Sequence, residues 1–267
     1  MEKKGKLKIG LALGSGGARG LAHIGVLKVL IKNHIPIDFI AGSSIGAFIG
    51  AWYAKCLNIK EMETSSIGNN RWKLTTLISD LTFKGGLIQG KRLESFIRER
   101  LDDYQFADLK IPFWALATNF HTGKAKIFKE GDVANIVRAS MSIPFMFKSV
   151  KIDNCYYVDA GLSQPVPVAA ARSMGADLVI GVNLDSRYLL SKDYRKPSLL
   201  TTGRQAMSIL RFNLSNHSVS SADVIVEPQT DIFGLSINEY LNAKKIIAIG
   251  EEAMQAKIKE LKKLIKN

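Results

Sequence analysis

A chain of 267 residues, 46% hydrophobic and 23% charged, has the composition of a globular protein and the length to bury a substantial core. Its 37 lysines and arginines against 24 acidic residues give a formal net charge of +13, which favours anionic partners such as lipid headgroups, nucleic acid or acidic metabolites. Two cysteines, Cys56 and Cys155, exclude a disulfide framework and a cysteine-rich metal site, and they suit a reducing, cytoplasmic setting.

In chain order, Lys6–Leu13 reads as a buried strand rather than a secretory signal, because the apolar run is short and ends in glycines. Ala18–Asn33 has the period of an amphipathic helix, with Leu21, Ile24, Leu27 and Ile31 on one side. A strand at Ile37–Gly42 and a helix at Ile45–Cys56 follow. Together they account for the longest uncharged stretch, Phe39–Ala54, which is shorter than the roughly 18 residues of a membrane span. Residues 58–90 are polar, broken by glycines and without a clean period, and they read equally as a lid over a site or as a helical insertion. Next come a helix at Lys91–Leu101, strands at Pro112–Asn119 and Ala125–Lys129, and a short helix at Asp132–Ser140. A strand at Lys151–Val158 leads to Asp159, followed by helix Val166–Met174, strand Asp177–Leu184, a polar connection over Asp185–Pro197, and helix Leu199–His217. Strand Asp223–Glu227 precedes a final helix from about Asn238. Strands alternating with helices predict a mainly parallel sheet covered on both faces, within one domain spanning 1–267.

Two glycine-rich turns carry the chemistry. Gly42-Ser43-Ser44-Ile45-Gly46 reads G-x-S-x-G between an apolar strand and an apolar helix, the context in which a nucleophile elbow holds its central serine exposed. The competing reading is a tight strand-to-helix turn in which Ser44 only caps the helix. Gly14-Ser15-Gly16-Gly17-Ala18-Arg19-Gly20 offers loop amides at a helix N-terminus, where negative charge is stabilised. It lacks the Lys-Ser/Thr of a Walker loop, and Arg19 stands at the third glycine of G-x-G-x-x-G, so an oxyanion hole suits it better than a nucleotide site. The Arg19 guanidinium is expected to hold that loop.

A serine nucleophile needs a base. None of the four histidines, His23, His34, His121 and His217, follows an acid at a strand end in the order of α/β-hydrolases. Asp159 closes a predicted strand before Ala160-Gly161, where a carboxylate at a strand's carboxyl end can reach the site and accept the serine proton directly.

Together these segments resemble the patatin-like phospholipases, specifically their small bacterial members. The family pattern is a Gly-Gly-Gly-x-Arg-Gly loop, G-x-S-x-G and a later Asp-Gly-Gly or Asp-Gly-Ala. This chain has Ser15-Gly16-Gly17-Ala18-Arg19-Gly20, Gly42–Gly46 and Asp159-Ala160-Gly161, together with Ala139-Ser140-Met141-Ser142-Ile143-Pro144, which is similar to the family's Ala-Ser-x-x-x-Pro segment. Ser15 replaces a glycine, and Ala160 adds a methyl beside the aspartate. The resemblance covers about residues 7 to 185 and implies a three-layer α/β/α fold. It also implies a Ser44–Asp159 catalytic dyad, an oxyanion hole formed by Gly14, Ser15, Gly16, Gly17, Ala18 and Arg19, and an elbow shaped by Gly42 and Gly46. The reaction it implies is hydrolysis of a phospholipid or lysophospholipid, with no metal and no cofactor. Acyl transfer or thioester hydrolysis, and a weakly catalytic regulatory protein, are the alternatives.

The basic amphipathic segment within 238–267, with Met254, Ile258, Leu261, Leu264 and Ile265 on one side, suits either peripheral contact with an anionic membrane at its inner face or packing on the domain. No module for nucleic acid is visible.

Overall fold

The computed structural model describes residues 7–67, 90–144, 146–187, 198–229 and 243–266. Eight strands form one sheet: β1 (Ile9–Leu13), β2 (Phe39–Ser43), β3 (Phe113–Asn119), β4 (Ala125–Phe128), β5 (Val150–Ile152), β6 (Cys155–Val158), β7 (Leu178–Val182) and β8 (Val224–Val226). The order is β5-β6-β3-β2-β1-β7-β8, with β4 on β3 off that path. Pairings from β3 through β2, β1 and β7 to β8 are parallel. Those of β4, β5 and β6 are antiparallel. β1 and β7 are buried throughout, which their continuous apolar runs require.

Helices cover both faces. One face carries α1 (Ala22–Lys32), α2 (Ile45–Cys56), α3 (Ile59–Ile67), α4 (Lys91–Leu101), α5 (Val133–Ser140) and α8 (Ala243–Lys266), packed in one apolar cluster with Leu11, Ile40 and Val224. On the other face lie α6 (Val168–Ser173) and the end of α7 (Leu199–Val219), whose Val168 and Val219 join Ala12, Ala41 and Val179. The chain therefore has the expected three-layer α/β/α arrangement.

Several elements differ from the sequence reading. The single strand expected at Lys151–Val158 is a hairpin: Asp153 and Asn154 have φ of 47° and 63° and form a two-residue turn between β5 and β6. Such a turn needs left-handed backbone at both positions, which Asp and Asn tolerate best. The helix expected from Ala18 starts with a 3-10 turn at Gly17–Leu21 before α1. Within the segment read as a lid or insertion, α3 packs on the core through Met62, and 68–89 lies outside the described residues, as does 238–242 of the last helix.

That last helix turns its apolar stripe inward. Met254, Ile258 and Leu261 are buried, leaving its lysines at the surface. It crosses α1 at a glycine contact: a Cβ on Gly25 would lie 2.0 Å from the Ile247 carbonyl oxygen, and one on Gly250 would lie 2.0 Å from that of Ala22. Beside the crossing, Lys28 Nζ donates to Glu63 at 2.6 Å and also to Glu251. Since backbone sits opposite backbone, a methyl group at either glycine forces the helices apart. Gly25→Ala is expected to lower the unfolding free energy by about 2–3 kcal/mol, despite alanine's better helix propensity. The urea midpoint measures this, and an unchanged midpoint would show that the two helices separate freely.

Candidate active site

The topology brings two distant residues together. β3 carries β4 along one edge, where Leu116 meets Ile127 and Thr118 meets Ala125. Its other edge is shared: β2 pairs up to Ser43–Leu116, and β6 runs the opposite way with Val158 on Thr118. The next residue of each strand, Ser44 and Asp159, therefore falls at the level of Ala117. Asp159 does not close a parallel strand, as a mainly parallel sheet led one to expect: β6 is antiparallel, and its reversed direction is what aims Asp159 at Ser44.

Ser44 Oγ donates to Asp159 Oδ2 at 2.6 Å, and both residues are buried, at 3% and 6% exposure. Ser44 has φ 53° and ψ −122°. A non-glycine residue in that region costs on the order of 1–3 kcal/mol and persists only where its surroundings over-determine it. Those surroundings are close. A Cβ on Gly42 would meet Ala47 Cα at 2.4 Å, and one on Gly46 would meet the Leu13 carbonyl oxygen at 2.2 Å. The motif glycines are thus needed for backbone approach. Ser44 also stands at the N-terminus of α2, where the helix dipole favours negative charge.

A strap joins the elbow to the aspartate. The Ser44 amide donates to Ser140 Oγ at 2.8 Å, and the Asp159 amide donates to the Ser142 carbonyl at 3.0 Å. Arg138 Nη1 holds Ser142 Oγ at 2.8 Å. This gives the Ala139–Pro144 segment a physical role that its spacing alone did not reveal. Thr118 Oγ1 donates to the Asp159 carbonyl at 2.8 Å, and the Gly161 amide donates to Asp159 Oδ1 at 2.8 Å. A side chain on Gly161 would strike Asp159 Oδ1 at 2.8 Å and Ser15 Oγ at 3.0 Å. Ala160 and Ser15 both keep negative φ, so neither departure from the family pattern strains the backbone.

The glycine loop is narrower as a donor set than the sequence reading made it. The Gly14 amide is committed to the Val182 carbonyl at 3.1 Å and the Ser15 amide to that of Pro165 at 2.8 Å. The Arg19 amide turns back to the Gly16 carbonyl at 3.3 Å. Among the described residues, the amides of Gly16, Gly17 and Ala18 have no protein acceptor. Gly17, at φ 58°, is where a glycine turns the loop.

The Arg19 side chain fixes this loop. Its Nε donates to the Gly16 carbonyl at 3.1 Å, its Nη1 to the Leu184 carbonyl at 2.6 Å, and its Nη2 to Asp185 Oδ1. Asp185 Oδ2 accepts from Arg211 of α7 at 2.6 Å. The sequence reading had Asp185 only as the start of a polar connection and did not single out Arg211, and no local motif marks either of them. Burial pushes the Asp185 carboxyl up, but Arg19 and Arg211 outweigh it and hold it below the usual carboxylate range. Asp159 goes the other way. Burial raises it, and the Ser44 hydrogen bond, the Arg211 charge and the Gly161 amide only partly counter that.

Among the described residues no histidine hydrogen-bonds to Ser44 or Asp159, but His23 reaches the glycine loop. His23 is fully buried, its Nε2–H donates to the Gly14 carbonyl at 2.8 Å, and its Nδ1 has no partner. Burial pulls its pKa down to about 4. Among the described residues no group of histidine, cysteine or acidic side chains could hold a metal ion, and no helix is long and apolar enough to cross a membrane.

The family model for patatin-like phospholipases matches residues 11–172, which include the loop, the elbow and Asp159. The chain belongs to the patatin-like phospholipase family. It is 32% identical over 181 residues to "Lysophospholipase nte1" of Emericella nidulans, covering 67% of this chain and 12% of that protein. It is 34% identical over 187 residues to "Patatin-like phospholipase domain-containing protein 7" of Rattus norvegicus, covering 67% of this chain and 14% of that one. The chain therefore spans a small part of these longer relatives. Among solved structures, VipD from Legionella pneumophila matches with a TM-score of 0.55 at 12% identity, covering 94% of this chain and 66% of VipD, a likeness of fold.

His23 gives the site a measurable pH signature. Its folded pKa lies below the ordinary 6.5, so as pH falls the unfolded chain takes up the proton first and stability is lost between pH 6.5 and about 4. Asp159, with its raised pKa, works in the opposite direction, so the contribution of His23 is read as a difference. Relative to His23→Gln, the native protein is expected to lose on the order of 3 kcal/mol more across that window. Parallel pH profiles for the two proteins would place the histidine's proton elsewhere.

Proposed function

We propose that this patatin-like protein is a serine lipid acyl hydrolase of the phospholipase or lysophospholipase type, with Ser44 as nucleophile and Asp159 as its general base. The observation that carries the reading is the 2.6 Å hydrogen bond from Ser44 Oγ to a buried carboxylate, next to a loop with unpartnered amides. In the first half-reaction Ser44 Oγ attacks the ester carbonyl carbon while its proton passes to Asp159 Oδ2. The amides of Gly16, Gly17 and Ala18 and the dipole of α2 stabilise the oxyanion. The intermediate collapses, the alcohol leaves with the proton held on Asp159, and the acyl group stays on Ser44. Water then attacks the acyl-enzyme and gives its proton to Asp159. The fatty acid departs as that proton returns to Ser44 Oγ.

Burial makes Asp159 a stronger base than a solvated carboxylate, which brings its proton affinity closer to that of the group it must deprotonate. The amide-lined loop and helix terminus supply charge stabilisation for an ester oxyanion from the chain's own groups. Family membership supports a lipid ester as substrate. Both cysteines are free, which suits a cytoplasmic protein working at the inner face of the membrane.

Ser44→Ala and Asp159→Asn are expected to reduce fatty-acid release from a lysophospholipid by about 10⁴-fold or more. Retained turnover in either variant would exclude the dyad. In the native enzyme, kcat/KM is expected to rise with pH through one ionisation above the ordinary carboxylate range. The same pKa displacement fixes the sign of a stability effect. A carboxyl whose folded pKa is raised contributes stability below its unfolded value and loses it as pH rises through the folded value. Above its folded pKa the ionised Asp159 is therefore a cost, and at such pH Asp159→Asn is expected to raise the Tm while activity is lost. A lowered Tm would show that the carboxylate's hydrogen bonds outweigh its desolvation.

A further inference from the structure

α7 carries an exposed face unlike the rest of the surface. Over 199–214 none of the described side chains is buried, although Arg211 pairs with Asp185, and Ser215 and Val219 are buried. On its outer side lie Leu199, Thr202, Ala206, Ile209, Leu210 and Asn213, spaced by three and four residues along one face. Leu199 is 93% exposed, Leu210 64% and Ile209 41%. A Cβ on Gly203 would meet nothing within 4 Å. In a chain that is 23% charged, this stripe has no charged side chain, and 199–219 contains no acidic residue at all, only Arg204, Arg211 and His217 besides neutral ones. An apolar face free of acidic residues, on a chain of net charge +13, complements an interface of acyl chains beneath anionic headgroups.

The position of α7 ties that face to the reaction. Arg211 donates to Asp185, which binds Arg19, which holds the Gly16 carbonyl of the glycine loop. At its far end, Ser218 Oγ accepts from the Val166 amide, a few residues after Asp159. The apolar stripe is thus borne on the same helix as one side of the site.

We propose that the exposed face of α7 is the surface on which this protein docks to an anionic lipid bilayer. The proposal rests on the lipid hydrolase reading for its purpose but not for its measurement. α7 enters the headgroup layer with Leu199, Ile209 and Leu210, and the chain's net positive charge draws it to the lipid phosphates. α8, whose apolar residues face α1, contributes at most its lysines.

The test is co-sedimentation of the full chain with vesicles of phosphatidylglycerol and of phosphatidylcholine, comparing the native protein with the Leu199→Asp, Leu210→Asp double variant and with Leu210→Ser. A soluble short-chain ester reports the integrity of the site in each. The native protein is expected to partition onto phosphatidylglycerol in preference to phosphatidylcholine. The double variant is expected to lose at least ten-fold in partition and in vesicle-lipid hydrolysis, and Leu210→Ser a smaller factor, with soluble-ester turnover unchanged. Equal partition of native and double-variant proteins overturns the proposal. So does a native dimer that the double variant dissociates, since the stripe would then face a second copy. If the native protein binds vesicles through α7 but hydrolyses neither lipid nor soluble ester, the docking surface stands and the hydrolase reading falls.

Discussion

Because β2 and β6 approach each other along one edge of β3, the backbone itself sets the distance between Ser44 and Asp159. Ser43 on Leu116 and Val158 on Thr118 leave one level of the sheet, that of Ala117, at which the two strand ends meet. A parallel strand at β6 would carry its carboxyl end away from that level. The short β5–β6 hairpin, turned at Asp153-Asn154, delivers the reversed direction, and the 139–144 strap holds both ends through Ser140 and Ser142. The strained φ of Ser44 is tolerated because amide, hydroxyl and following helix are each fixed by a separate partner.

Charge placement follows from this geometry. Two carboxylates lie buried near one another, and their surroundings drive them apart in proton affinity. Asp185 sits between two guanidinium groups and stays ionised. Asp159 has a hydroxyl, one amide and the more distant Arg211 charge, and burial prevails. One carboxylate is thus favoured in its ionised form and fixes the glycine loop, and the other is raised in proton affinity and faces Ser44. Asp185, once paired, also neutralises one of the two arginines that would otherwise stand uncompensated in a dry environment. His23 supports the same loop from below in neutral form, as a donor to the Gly14 carbonyl, and adds no charge.

What the sequence disclosed was what is encoded locally. Gly42 and Gly46 stand two residues either side of Ser44 because a tight strand-to-helix turn needs close backbone on both sides, so the turn was legible from that spacing between an apolar strand and an apolar helix. The alternation of apolar runs gave the parallel sheet. The features that escaped are those set by long-range pairing. Nothing near Asp185 announces its contact across 166 residues with Arg19, nor anything near Arg211 its contact with Asp185, and the double occupancy of one β3 edge cannot be seen from the β3 sequence. The engagement of the Gly14 and Ser15 amides depends on Val182 and Pro165, which are equally remote. Asp153-Asn154 is a different case: the turn signal was present and was read through as strand.

The two long helices α7 and α8 show why amphipathic pattern alone does not decide between core and membrane. Both are basic over the relevant stretch and both bear apolar residues at helical spacing. In α8 a partner exists for those residues, and its evidence is steric: Gly25 and Gly250 allow backbone contact with α1 at a separation no side chain would permit, which draws Met254, Ile258 and Leu261 into the core. In α7 the corresponding glycine, Gly203, faces open space, and Leu199 and Leu210 remain outside. Exposed leucine is ordinary when scattered. It has a physical consequence when it forms an uncharged stripe on a helix without acidic residues, because such a face loses unfavourable contact with water at any apolar interface and meets no repulsion from an anionic one. Of two helices that composition makes alike, the one whose apolar stripe stays exposed is the one whose chemistry remains available to lipid.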